Sequence, residues 1–78
     1  MSKEIPILDR FNNDTLMLKA ELELIVEERN LYFDDMSQGV QKSEEGELHE
    51  ERTNDLLRLL SKIEFLLNFI EDYKMTYY

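Results

Sequence analysis

Seventy-eight residues allow one small domain, and a chain of this size buries only about 60% of its unfolded surface, so its own core is marginal. It has no cysteine, which excludes disulfides and cysteine-held zinc and leaves association with another chain as the expected reinforcement. Nine Lys and Arg against eighteen Asp and Glu give a net charge of −9; this disfavours nucleic-acid backbones and anionic membranes as direct partners and favours a protein with a basic surface.

The first dozen residues give no clear helical signal. Pro6 fixes its own backbone and biases Ile5 toward an extended form. Ile7, Leu8 and Phe11 are nonetheless strongly apolar. Ser2, Lys3 and Glu4 precede only a four-residue apolar run, so no signal peptide is expected and the chain reads as a soluble, cytoplasmic protein. Asn12, Asn13 and Asp14 are suited to capping a helix start.

Helix 1 is predicted from about residue 15 to 36. Placing its residues 100° apart gives two apolar stripes. The larger holds Leu18, Leu22, Ile25, Val26, Tyr32, Phe33 and Met36; the smaller holds Met17, Ala20, Leu24 and Leu31. A helix in a simple pair needs one stripe, so the second asks for another neighbour. Arg29 projects into an apolar stripe and is expected to reach a carboxylate in the 50–55 region, because an unpaired buried charge is costly. Arg52 is placed in the same way and is given a similar role.

Residues 37–46 read as a loop. Gly39 can end helix 1 in the left-handed region. Ser43 can cap helix 2, with Glu44, Glu45 and Glu47 complementing its dipole. Gly46 is expected to weaken that first turn.

Helix 2 is predicted over about 44–75 and carries a seven-residue repeat. Leu56, Ile63, Ile70 and Tyr77 form one line, Leu59, Leu66 and Tyr73 a second, and Leu60 and Leu67 widen the stripe. Such a helix, about 48 Å long if straight, implies an elongated molecule. The short loop makes the helices antiparallel neighbours. Helix 2 then overhangs helix 1, and Ile5, Ile7, Leu8 and Phe11 are predicted to cover its end near Tyr73 and Tyr77. The expected fold is all-α: a single domain over 1–78, a two-helix antiparallel hairpin with an apolar N-terminal segment packed on it, dimerising into a four-helix bundle.

Catalytic signatures are sparse. No cysteine nucleophile, Gly-rich phosphate loop or G-x-S-x-G is present. Glu44, Glu47 and Glu50 have E-x-x-E spacing, but no E-x-x-D follows to complete a magnesium site of the helical pyrophosphatase kind. His49 is the single histidine and reads as a solvated side chain in an acidic first turn. No enzyme, metal or cofactor is expected.

Phe65 and Phe69 lie off the repeat, on an outer face where a coiled-coil helix is ordinarily polar. With Met17, Leu24 and Leu31 of helix 1, and with Tyr73 and Tyr77, they are the candidate protein-interaction residues. They serve either a second copy or a foreign target. The expected function is therefore a small acidic inhibitor, adaptor or chaperone that works by binding another protein, itself a homodimer. The alternative is a nucleic-acid mimic, with Asp34, Asp35, Glu44, Glu45, Glu47, Glu50 and Glu51 gathered at one end to occupy a basic groove.

Overall fold

Pro6 does not delay the first helix. In the computed structural model, which describes residues 3–78, α1 spans Glu4–Asp35, a short α2 spans Gln38–Gln41 and α3 spans Glu44–Tyr77. Of the domain expected over 1–78, positions 1 and 2 lie outside the described residues. The start expected near residue 15 is thus corrected to Glu4. Proline at the third helical position loses nothing there, because the first four N–H groups of any helix have no intrahelical partner. Asn12, Asn13 and Asp14 sit inside α1. Their modest propensity cost is offset by packing, since Ile5 and Leu8 on the preceding turns are half-buried against α3. The apolar N-terminal segment is therefore a continuation of the helix.

The connection is also more ordered than a plain loop. Ser37 caps α2, accepting from the Val40 N–H at 3.3 Å, and Ser43 caps α3, accepting from the Gly46 N–H at 3.3 Å. The Gln41 side-chain amide donates to the Phe33 carbonyl at 2.8 Å, an oxygen that also accepts from the Met36 N–H at 3.1 Å, and so ties α2 to the end of α1. Gly39 lies inside α2, and no described residue has a positive φ, so the left-handed ending expected at Gly39 does not occur. Gly46 is buried where the α2 turn crosses the start of α3. A Cβ there would collide with the Val40 and Gln41 carbonyl oxygens. The glycine permits a close backbone approach rather than weakening the turn.

The two long helices pack along their lengths and run in opposite directions. Arg29 meets His49, Lys19 meets Glu64, Asp9 meets Lys74 and Glu4 meets Tyr78. The main inward line runs through 8, 12, 15, 19, 22, 26, 29 and 33 of α1 to its cap at 36, and through 46, 49, 53, 56, 60, 63, 67, 70 and 74 of α3, with 5, 9 and 73 half-buried beside it. Steps of three and four alternate on both helices, which keeps one line of each facing the other. Leu59 and Leu66 are turned outward. The seam uses the Leu56/Ile63/Ile70 line with Leu60 and Leu67, not with the Leu59/Leu66 line.

The seam is thin. Among the described residues, Val26, Leu60 and Ile70 are the buried apolar side chains, with Thr53 the buried polar one. The Cα trace measures 60 × 17 × 13 Å, a single layer of two helices. Among the described residues no helix is long and apolar enough to cross a membrane.

Candidate protein-interaction face

Successive helical residues advance by 100°, so most of the apolar residues left outside the seam sort into three surfaces. The first is a broad face. On α1 it carries Ile7, Phe11, Leu18, Ile25 and Tyr32; on α3 it carries Leu48, Leu59, Leu66, Phe69 and Tyr73. Because the helices run in opposite directions, these two rows lie on the same side of the seam. Grooves at both ends prove it. At one end Ile7 and Leu8 line a groove of about 340 Å³ with Phe69, Ile70 and Tyr73. At the other, Tyr32 and Met36 line one of about 260 Å³ with Leu48, His49 and Arg52. The opposite broad face is mostly polar, carrying Asn30, Asn54, Ser61, Glu64 and Asn68, with Leu16 and Leu57 exposed among them.

The second surface is the back of α1, directly away from α3, where Met17, Leu24 and Leu31 are exposed. The third is the back of α3, where Phe65 is 73% exposed and Phe69 turns toward the broad face. The candidate residues are therefore distributed over both edges. Met17, Leu24 and Leu31 stand on one edge and Phe65 on the other, whereas Phe69, Tyr73 and Tyr77 come together in a shallow groove. The row through Phe11, Leu18, Ile25 and Tyr32 is missing from the sequence-derived candidates. Its signal is the seven-residue spacing of Leu18, Ile25 and Tyr32, hidden because Leu22, Val26 and Phe33 beside them belong to the seam.

Each end of the broad face is closed by a polar clasp. At the free end of the helix pair, Tyr73 and Tyr78 both donate to the same carboxylate oxygen of Glu4, at 2.7 and 2.6 Å. The hydrogen bonds from Tyr78 and Tyr73 hold the Glu4 carboxyl below its ordinary value. The same Glu4 bond, helped by burial, pushes the Tyr73 hydroxyl up to about 12. Lys74 meets Asp9 at 2.5 Å, and that hydrogen bond raises the lysine above its ordinary value.

At the loop end the clasp is built on Arg29. Its Nε donates to Thr53 Oγ1 at 3.0 Å, and Nη2 donates to the His49 carbonyl at 3.1 Å. The Thr53 hydroxyl donates to that same carbonyl at 3.0 Å. His49 Nε2–H donates to the Arg29 carbonyl at 3.0 Å, which leaves Nδ1 as an acceptor facing Arg29 Nη2 at 3.4 Å. Arg29 thus finds the expected stretch of α3, but its partners are neutral groups rather than a carboxylate. His49 is half-buried and stacked on Phe33, with ring planes 10° apart, so its expected solvated position is corrected. Arg52 is exposed and lines the loop-end groove with Glu45.

The acids Asp34, Asp35, Glu44, Glu45, Glu47, Glu50 and Glu51 are all exposed, and all flank the α2 connection. Among the described residues no group of three or more His, Asp or Glu side chains is arranged to hold a metal ion. Compared with protein-family models, curated proteins and solved structures, the chain gives no match.

Proposed function

We propose that this protein is a non-enzymatic interaction module, an antiparallel helical hairpin that acts as a small inhibitor, adaptor or chaperone and self-associates through its broad apolar face into a four-helix bundle. The observation that carries this reading is that apolar residues of both helices meet on that face at each of its ends, Ile7 with Tyr73 at one and Tyr32 with Leu48 at the other. Stable domains set two layers of secondary structure around one core, and this chain by itself supplies one layer. Its accessible surface of 6435 Å² exceeds by roughly 1,400 Å² the approximately 5,000 Å² expected of a compact monomer of 9.4 kDa. That surplus matches the order of area a protomer contributes to a stable homodimer.

Light scattering on the purified protein tests the reading. The expected result is a dimer that the pair Ile25→Glu and Leu66→Glu converts to a monomer. A wild-type chain that remains monomeric at high concentration removes self-association from the proposal. The mimic reading has one observation in its favour, the seven exposed acids flanking a single end. Binding to a basic protein that collapses with added salt, and with Glu47→Gln and Glu50→Gln, would select it over the apolar mode.

A further inference from the structure

The back of α1 is a separate surface. Met17, Leu24 and Leu31 repeat every seven residues there and are 67%, 60% and 59% exposed. The ridge they form is about 21 Å long, four turns of helix. It points away from α3 and lies outside the broad face, so a bundle built on that face leaves it uncovered. Glu21 and Glu28 wall one side of the ridge; Glu27 and Asp34 wall the other, and all four are exposed. The two cations of this stretch are committed elsewhere. Lys19 is paired with Glu23 at 3.1 Å and Glu64 at 3.4 Å, and Arg29 is turned into the seam.

We propose that this ridge docks a basic amphipathic helix of a partner protein. A narrow apolar line of four turns takes the apolar stripe of one helix. Walls of uniform negative sign select Lys or Arg on both flanks of that stripe and reject an acidic helix by repulsion. A second copy is a poor occupant. Its own ridge bears the same acidic walls. Its Phe65 edge carries Lys62 and Arg58, but Arg58 is paired with Asp55 at 2.6 Å. Joining the back of α1 to the back of α3 would also be head-to-tail, which does not close into a dimer. The proposal rests on the chain being an interaction module, but not on its self-association.

The test uses labelled synthetic helices of about 18 residues and fluorescence anisotropy. One helix has leucine at heptad spacing flanked by lysine; the second has glutamate for lysine; the third scrambles the first. The expected result is binding of the leucine–lysine helix at least about tenfold tighter than of either control. Leu24→Gln with Leu31→Gln should abolish that preference, and Phe65→Gln should leave it unchanged. Glu21→Lys with Glu28→Lys should weaken the lysine helix and strengthen the glutamate one. Equal binding of the scrambled helix reduces the effect to bulk charge and overturns the proposal. So does binding that is indifferent to Leu24→Gln with Leu31→Gln. A change of protomer number in that double variant identifies a second copy as the occupant and overturns it too. Retained binding by the Ile25→Glu, Leu66→Glu variant separates this surface from the broad face.

Discussion

Gly46 and Thr53 are the residues with the least freedom to change. Alanine ordinarily improves a helix over glycine by about 1 kcal/mol. At Gly46 the sign should reverse, because the added Cβ meets backbone carbonyls of Val40 and Gln41 that cannot move aside like a side chain. Gly46→Ala is expected to cost about 1–3 kcal/mol in urea unfolding. Gly39→Ala, which meets nothing within 4 Å, should be neutral or slightly stabilising. Thr53→Val keeps the shape but removes the acceptor of Arg29 Nε. The unsatisfied guanidinium should then cost about 1–3 kcal/mol, measurable in the same assay. The sequence indicates that Arg29 must find a partner near residues 50–55. It does not indicate that the partner is neutral, because a threonine hydroxyl and a carbonyl become adequate acceptors only once the half-buried geometry is known.

At the scale of elements, α3 is legible almost to its ends. Ser43 followed by three glutamates marks its start, and the heptad from Leu56 marks its inward side. The first eleven residues of α1 are not legible, because Pro6 signals a break unless it is known to occupy the opening turn. The choice between Leu59/Leu66 and Leu60/Leu67 is equally hidden. Each is an adjacent apolar pair, and only the register of α1 decides which member turns inward. The free end of the pair should respond to pH on both sides of neutrality. Glu4 is held below its ordinary value, so its contribution is complete above the ordinary carboxylate range and declines as pH falls through the lowered one. Tyr73 is raised to about 12, so its contribution is complete below the ordinary tyrosine value of 10.0 and is lost between there and about 12. Amide exchange near both ends should therefore accelerate at low and at high pH, and Glu4→Gln should abolish the acid limb and also weaken the alkaline one, because the Glu4 carboxylate is the main cause of the raised Tyr73 value. An acid limb that persists in Glu4→Gln would assign it to another carboxylate.

For the whole molecule, one helical layer with a thin seam makes stability depend on what covers it. If the broad face is closed by a second copy, the unfolding midpoint should rise with protein concentration. Leu60→Ala, which opens a cavity in the seam itself, should cost about 2–5 kcal/mol at any one concentration. The Ile25→Glu, Leu66→Glu variant should remove the concentration dependence by leaving one layer exposed. Thermal scans over a hundredfold concentration range would distinguish these outcomes. At this scale the sequence indicates that apolar residues are in surplus. Which of them share a face follows only from the opposed directions and the register of the two helices.

The register also orders the events of folding. Across the seam, partners near α2 are 20 and 24 residues apart in the chain, as at Arg29 with His49 and Thr53, whereas Glu4 and Tyr78 are 74 apart. Closing the shorter loop costs less entropy. Each closed pair then brings the next within reach, so the helices should zip from the connection outward. Substitutions at Thr53 should slow folding, while those at Tyr73 should chiefly speed unfolding.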